Sequence, residues 1–298
     1  MTIRPLDLLD LPTIARYRNA VLTLDSARAL TRGHPLGAMG LLAYINPSRH
    51  LYAAIDNSNE SKLLGGVIHT RGEMLAKLLY LAPASNLSDP QLPALIEHLS
   101  VQAGEWQAAH VEAGDAFVPL CKAGFSVYAW QRVWDVSQLE KTGSNSKSSW
   151  RRGRSVDLHA VQSLHYQIVP QLLHPVEPAP NRAAGYVHED MRCFANMTTG
   201  MYGTVLIPLI HPEETGVSEK IVSLVASLPD RRPVYLNVRS YQAWLEPVLE
   251  DLGAKASARQ AVMVKHLARL AMNGQPARVI PTNVGVQPSR ISRMEVDE

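Results

Sequence analysis

This sequence of 298 residues contains only two cysteines and three phenylalanines, and its formal net charge is only +2. Cys121 and Cys193 lie far apart, and Cys121 is predicted on the buried side of a helix, so both are expected to be reduced and structural. The near-neutral charge argues against nucleic acid as a partner. No run reaches the ~18 apolar residues of a membrane span, and the N-terminus lacks secretory features, so we expect a cytoplasmic protein without a membrane partner.

Several catalytic signatures are also missing. The sequence contains no Gly-x-Ser-x-Gly, no P-loop and no dinucleotide-binding fingerprint. It has no cluster of His, Cys, Asp and Glu at metal-ligand spacing, so no metal is expected. These absences exclude the commonest hydrolase, nucleotidase and dehydrogenase signatures, and they leave the oligomeric state open.

What the sequence does contain is a strand–helix–Gly–strand pattern that occurs twice. In the second half, residues 232–239 alternate as a strand, 240–252 have helical spacing up to Gly253, and 258–266 predict another strand. In the first half the same order spans 108–113, 116–123, Gly124 and 125–136. The composition, 46% hydrophobic and 19% charged, is that of a globular protein with about two domains.

The two copies align on their glycines at an offset of 129 residues. At that offset Gln131 falls on Gln260, and two more identities follow, Ala129 with Ala258 and Val133 with Val262. Solenoid repeats are only ~20–50 residues long, so a period of this length indicates a duplicated domain.

Other segments complete a mixed α/β pattern. Strands are predicted at 2–6, 51–55, 63–70, 74–81 and 204–210, and helices at 10–22, 92–103 and 217–228. Residues 158–161 are predicted as a strand and 164–173 as a helix, and 181–203 have too little regular pattern for a full hairpin. We therefore predict an N-terminal domain (1–137), a basic Ser/Gly linker (138–156), a C-terminal domain shortened at its start (157–272) and an extended tail (273–298).

Ala123-Gly124-Phe125, Leu252-Gly253-Ala254 and the opening residues 3–12 resemble the GNAT (GCN5-related N-acetyltransferase) superfamily. The resemblance implies two tandem GNAT-like α/β domains, acetyl-CoA as the cofactor and N-acyl transfer to an amine. In that family, a glycine-containing loop before the central helix binds the coenzyme A pyrophosphate through backbone N–H groups and the helix dipole.

The corresponding loops depart from the family pattern. Residues 82–91 contain two prolines and no glycine, and residues 211–218 contain one glycine and two carboxylates. The candidate coenzyme-binding residues are Ser85, Asn86 and Ser88 in the first loop and Thr215, Gly216, Val217 and Ser218 in the second. The second loop is the better candidate because it keeps Gly216.

The tyrosine that the resemblance would supply as the general acid is also absent. Four residues before each glycine the chain has Leu120 and Leu249. Three hypotheses follow: an acyl-CoA-dependent N-acyltransferase, weak or inactive; a non-catalytic module that binds a small molecule or a protein; and a structural or assembly component.

Two further groups have both a functional and a simpler interpretation. His211 with Glu213 and Glu214 could form a supported general base, or simply a solvated loop. The cations of Lys147, Arg151, Arg152 and Arg154 around Trp150 could bind phosphate, or belong to a solvated linker.

Overall fold

The computed structural model describes residues 3–37, 49–57, 62–70, 75–101, 106–112, 116–139, 149–229 and 232–266. The predicted tail (273–298) lies outside the described residues, as does most of the segment 138–148. Residues 1–267 cluster as one compact unit. No helix in the described ranges has the length and apolar character needed to cross a membrane.

The first half follows the order predicted from the sequence, except for two short elements that were not predicted, the strand Leu22–Thr23 and the helix Ser26–Arg32. Its elements are β1 (Ile3–Pro5), α1 (Leu11–Tyr17), β2 (Leu22–Thr23), α2 (Ser26–Arg32), β3 (Arg49–Asp56), β4 (Leu63–Thr70), β5 (Leu75–Ala82), α3 (Leu92–Val101), β6 (Trp106–Glu112), α4 (Phe117–Lys122) and β7 (Ser126–Asp135). Helix α4 ends before Gly124, which has a φ of +90°. That backbone conformation favours glycine, because other residues meet a steric cost there.

The second half repeats most of this order. Its elements are β8 (Trp150–Arg152), α5 (Leu158–Ile168), β9 (Gly185–His188), β10 (Cys193–Thr199), β11 (Thr204–Ile210), α6 (Val217–Ala226), β12 (Val234–Arg239), α7 (Leu245–Asp251), β13 (Lys255–Ala256) and β14 (Gln260–His266). The predicted helix at 240–252 is divided into a 3-10 turn (Ser240–Gln242) and α7. Gly253 has a φ of +79° after α7, as Gly124 does after α4.

The two halves share one continuous sheet because the last strand of each half pairs with strands of the other half. The order is β1-β3-β4-β5-β6-β14-β7-β12-β11-β10-β9-β8, with β2 and β13 pairing on β5 and β7. Strand β14 therefore completes the first half, and β7 completes the second. At the centre Gln131 pairs with Gln260, the two residues that the offset of 129 makes equivalent. The predicted duplication thus has equivalent strand orders on either side of this centre.

Helices cover both faces of the sheet. Helices α3, α4, α6 and α7 pack on one face, where the largest apolar clusters lie. Helices α1 and α5 pack on the other face. The exchanged strands contribute directly to both cores, because Met263 of β14 is fully buried in the first-half cluster and Trp134 of β7 in the second-half cluster.

The start of the second half is more complete than predicted. Trp150–Arg152, placed in the linker, forms strand β8, and Trp150 is buried. Residues 158–161 belong to helix α5 rather than to a strand, and β9 and β10 form part of an antiparallel hairpin array in the segment judged too irregular. The half is nevertheless shorter than the first, because residues 149–229, all described, contain no counterpart of α2.

An ion pair marks the same corner in both halves. Arg4 forms two hydrogen bonds of 2.7 Å with Asp10 before α1, and Arg151 forms bonds of 2.6 and 2.7 Å with Asp157 before α5. Asp10 also accepts a backbone N–H from Asp7, and Asp157 accepts one from Arg154. The arginine hydrogen bond lowers the pKa of both carboxyls, that of Asp157 to about 2. This Arg-x5-Asp repeat is the sequence signal that could have located β8.

The cysteine predictions are borne out in part. Both thiols are free, and Cys193 is buried on β10. Cys121 is exposed on α4, so its predicted burial is wrong. The short α4 directs Leu120 rather than Cys121 into the core.

Candidate functional site

Each half contains a pair of parallel strands that separate after a short paired stretch. Strands β5 and β6 pair only over 75–77 with 106–108, and β11 and β12 only over 204–206 with 234–236. Beyond these residues the strands diverge toward their carboxyl ends. Ligands of open α/β sheets bind in the crevice outside the carboxyl ends of parallel strands, so each half has one candidate site.

The first half has a cavity of about 620 Å³, and the residues that line it come from the loop after β5, the start of α3 and helix α4 rather than from β5 or β6. The predicted Ser85 and Ser88 line it, whereas Asn86 does not. Lys122, at the end of α4, faces the same space and is exposed. The structure therefore brings two hydroxyls, one ammonium group and the carboxylate of Asp89 to a cavity within the size range of small-molecule sites.

The N-terminus of α3 supplies few backbone donors to this cavity. The N–H of Leu92 donates to the carbonyl of Asp89, Pro93 has no N–H, and the N–H of Leu95 donates to Gln91. The Asp89 carboxylate accepts the N–H of Gln91 at 2.8 Å. Of the first four helical residues, only Ala94 keeps an N–H without a partner among the described residues. A bound anion would therefore depend on Lys122 and the two hydroxyls.

The second-half crevice is bridged by Gln242. Its amide oxygen accepts the N–H of Ile210 at 2.9 Å, and its amide nitrogen donates to the carbonyl of Pro208 at 2.7 Å. Gln242 is almost completely buried. Unpaired backbone groups on a separated strand need partners, and here a side chain of the protein provides them. These two groups of β11 are consequently not available to a ligand.

Beside this crevice, the loop before α6 is occupied by an ion-pair network. The Lys220 ammonium lies 2.5 Å from Asp190 and 2.7 Å from Glu214. Burial opposes the charged form of Lys220, but the hydrogen bonds that its ammonium donates to these two carboxylates raise its pKa overall. Asp190, Cys193 and Glu214 have potential metal-ligand atoms within 4.8 Å of one another, but the ammonium already neutralises the carboxylates. Burial also raises the pKa of the Cys193 thiol to about 12, which disfavours a metal-binding thiolate.

The remaining candidate residues lie at the N-terminus of α6. Gly216 has a φ of +64° and precedes the helix, while Thr215 donates its N–H to the Glu214 carboxylate at 3.1 Å. Among the described residues, no group accepts the N–H of Gly216, Val217 or Ser218. Backbone donors therefore remain here, although Glu213 and Glu219 are exposed nearby and oppose an anion.

The general-base interpretation of His211 is not supported by its contacts. Its Nδ1 lies 2.9 Å from Nη2 of Arg192 and 3.3 Å from the N–H of Glu213. Both partners are hydrogen-bond donors, so this nitrogen acts as an acceptor within the loop. The Glu213 carboxylate is directed to Arg192 at 3.2 Å, which leaves a structural ion-pair cluster.

No proton donor occupies the two helix positions singled out in the sequence. Leu120 and Leu249 are both fully buried in the two cores. The nearest tyrosine on the second-half segment, Tyr241, donates to Glu177 at 2.8 Å, and Glu177 is ion-paired with Arg239 at 2.7 Å. Burial, with the Glu177 charge second, raises the pKa of Tyr241. This buried group contributes to structure rather than to proton transfer.

The basic cluster around Trp150 is also structural where it is described. Arg151 is bound to Asp157, Arg152 lies 5.9 Å from the ring centre of Tyr186, and the Trp150 indole N–H donates to the carbonyl of Lys220 at 2.9 Å. The ring of Trp150 is buried and cannot stack on a ligand. Lys147 lies outside the described residues.

Comparison with known proteins agrees with this architecture. No protein-family model and no curated protein matches the chain. A GCN5-related N-acetyltransferase from Sphaerobacter thermophilus has 12% identity over 89% of this chain and 95% of its own, with a TM-score of 0.50. The chain has the GNAT fold.

Two other solved structures are similar at slightly lower scores. A putative acetyltransferase from Pyrococcus horikoshii has 9% identity over 89% of each chain, with a TM-score of 0.49. A tandem GNAT protein from the clavulanic acid biosynthesis pathway has 12% identity over 89% of this chain and 98% of its own, with a TM-score of 0.48.

Two site residues, Lys122 and Gln242, were not singled out in the sequence. Lys122 aligns with Asp251 at the offset of 129, so one position carries opposite charges in the two halves. This contrast was visible in the alignment of the copies. The role of Gln242 depends on the separation of β11 from β12, for which the sequence has no local pattern.

Proposed function

We propose that this protein is of the GNAT N-acyltransferase class, that it binds an acyl-CoA in its first half only, and that it transfers the acyl group slowly. The observation that carries this proposal is the difference between the crevices. The first half has a cavity with Lys122 at its edge beside the loop after β5, and in the second half Gln242 bridges the crevice. The second half then serves mainly to complete the sheet. This choice reverses the preference that Gly216 suggests in the sequence.

The first-half cavity fits part of coenzyme A in size, and Lys122 supplies the positive charge there beside the carboxylate of Asp89. Lys122 would contact the phosphates, with Ser85 and Ser88 donating hydrogen bonds in place of backbone N–H groups. When bound, the coenzyme A thioester supplies an activated acyl group for an amine. The fit is weaker than that of a glycine-rich loop because α3 presents few free N–H groups.

Slow transfer follows from the buried leucines. Neither Leu120 nor Leu249 can protonate a leaving thiolate, and loss of a positioned general acid typically reduces the rate ~10²–10⁴-fold. We therefore expect thiol release with a panel of amines to stay below about 1 s⁻¹, the low end of ordinary enzymes. Faster turnover would contradict this part of the proposal.

A second candidate function is a binding module without transfer. This hypothesis is favoured because most backbone N–H groups at the start of α3 already donate to groups of the protein itself. Under this hypothesis coenzyme A binds, or a related phosphate-bearing molecule does, and no thiol is released with any amine. Binding and turnover measured on the same preparation separate the two candidates.

The direct test is thermal unfolding with acetyl-CoA. At a concentration of 100 times the dissociation constant, a bound ligand adds about 2.7 kcal/mol to the unfolding free energy, so the melting temperature should rise. Lys122→Glu should abolish the rise by placing a carboxylate beside the phosphates. Lys255→Glu, at an exposed lysine in a different cavity, is the matched control and should keep the rise. No rise with the native chain, or an undiminished rise with Lys122→Glu, would refute the first-half site.

A further inference from the structure

A second cavity, of about 460 Å³, lies where the two halves meet. Its walls come from α2 of the first half, from the exchanged strand β7, and from β12 and β13 of the second half. It is separate from the cavity beside α3, with which it shares no lining residue. The acyl-CoA proposal makes no use of it.

Helix α2 forms a fixed wall of this cavity although it belongs to the first half. The N–H of Tyr202, in the turn between β10 and β11, donates to the carbonyl of Thr31 at 3.0 Å. Gly200 permits this approach, since a Cβ there would lie 2.0 Å from the same carbonyl oxygen. The helix is thus held against the second half by backbone contact, and the cavity has preformed walls.

The floor of the cavity is formed by Gln131 and Gln260, which pair where strand β7 lies beside strand β14. Gln260 is 8% exposed, and its amide oxygen accepts from Gln131 at 2.7 Å. The same Gln131 amide nitrogen donates to the hydroxyl of Ser26 on α2 at 3.1 Å. Asn237 donates to the Gln131 oxygen at 3.0 Å. These bonds fix the orientation of the amides beneath the cavity.

Opposite charges face each other at the edge of the cavity. Asp135 on β7 and Lys255 on β13 are direct cross-strand partners, and both line the space. Yet they form no ion pair, and Lys255 has no ion-pair partner among the residues that the structure describes. Asp135 uses one oxygen to accept the N–H of Ser137 at 2.9 Å. Its second oxygen and the Lys255 ammonium remain for a ligand.

The rest of the lining suits a short aliphatic chain between two charged ends. Leu30 and Val133 provide apolar wall, and Tyr235 places a phenol beside Asp135. Burial, with the Asp135 charge second, raises the pKa of Tyr235, so its hydroxyl stays a hydrogen-bond donor at neutral pH. From this arrangement we propose that the cavity binds a small zwitterion of the amino-acid type, its ammonium at Asp135 and its carboxylate at Lys255.

The experiment compares three probes of equal length by saturation-transfer NMR on the full chain. These are 4-aminobutyrate, butylamine, which lacks the carboxylate, and butyrate, which lacks the ammonium. The zwitterion should bind at least about tenfold more tightly than either single-charge probe, because each lost charge-assisted contact weakens binding. Equal binding of butylamine and 4-aminobutyrate, or no saturable binding of 4-aminobutyrate, would overturn the proposal.

Two variants assign the contacts. Asp135→Asn keeps an oxygen for the Ser137 N–H but removes the charge, and Lys255→Met keeps the length of the side chain. Each should weaken 4-aminobutyrate binding about tenfold with an unchanged melting temperature. Lys122→Met, at the other cavity, is the control and should have no effect. Unaltered zwitterion binding in both cavity variants would refute the assignment. Because this test contains no acyl-CoA, its failure leaves the proposed function untouched.

Discussion

In the first half, a cavity with Lys122 at its edge lies between the loop after β5 and helix α4, and the backbone donors of α3 are mostly used within the protein. In the second half, Gln242 bridges the corresponding gap, and the donors at the start of α6 are left over. Each half therefore keeps a different part of what an acyl-CoA site requires. The pairing that maintains the fold is common to both halves, whereas the crevice residues differ.

This difference shows which features the fold itself depends on. The parallel pairing at the base of each crevice, the glycine after each helix and the Arg-x5-Asp corner are present twice. Lys122 and its counterpart Asp251 have opposite charges, and Gln242 serves one half only. A duplicated fold can thus be retained while one copy becomes a scaffold for the other.

The largest effect is expected where the halves exchange strands. Trp134 and Met263 are fully buried, each in the core of the half to which its strand was given. Trp134→Ala should cost ~3–5 kcal/mol and Met263→Ala ~2–5 kcal/mol of unfolding free energy, from lost burial and cavity formation. Urea denaturation followed by circular dichroism measures both.

The same measurement tests whether the halves are one folding unit. Because each substitution lies in a strand shared by both cores, a single transition should shift for the whole chain. Val127→Ala, on β7 but 37% exposed, is the control and should have a small effect. Two separate transitions, with only one displaced, would show that the halves unfold independently.

An intermediate effect is expected at the bridged crevice. Gln242→Leu keeps a similar volume but leaves the N–H of Ile210 and the carbonyl of Pro208 without their partner. Such unsatisfied buried groups cost ~1–3 kcal/mol. Gln242→Glu can still accept the N–H of Ile210. At an acidic pH where its carboxyl is protonated, it should therefore reduce the unfolding free energy less than Gln242→Leu does. No loss of stability in Gln242→Leu would show that water or another group fills the gap.

A smaller effect is expected at the repeated corner on acidification. The folded pKa of Asp157 is lowered to about 2, from an ordinary value of 3.8, so its stabilising contribution is complete above pH 4 and is lost as the pH falls toward 2. Asp157→Asn should therefore differ from the native chain at pH 6 and approach it near pH 2. The pKa of Asp10 is also lowered, so the stability difference between Asp10→Asn and the native chain should shrink in the same way on acidification. Parallel stability curves from pH 6 to pH 2 would contradict this.

Much of the fold was predictable because its signals are local. The apolar run at Thr204–Ile210 predicted β11 with the correct ends, and Gly124 and Gly253 marked two helix ends. The exchange of β7 and β14 was not predictable, since pairing between strands more than 100 residues apart leaves no trace in either segment. Strand β8 was missed because three residues are too few to establish an alternation.

The candidate site was less predictable than the fold. Ser85 and Ser88 line a cavity and Asn86 does not, and coenzyme binding by these residues stays a prediction. Gly216 favoured the second loop as the coenzyme site. The contacts that argue against this site are made by Gln242 and Lys220, whose partners are distant in sequence or on another element. Site chemistry depends on such long-range contacts, and a local pattern does not contain them.

The central claim, one acyl-CoA site in the first half, is tested most directly by titration calorimetry with acetyl-CoA on two matched variants. Ser88→Glu places a carboxylate at the first-half cavity, and Ser218→Glu places one at the start of α6, where the helix dipole favours it. We expect one mole of acetyl-CoA per mole of native chain, lost in Ser88→Glu and retained in Ser218→Glu. Two moles per chain, or binding lost only in Ser218→Glu, would contradict the account.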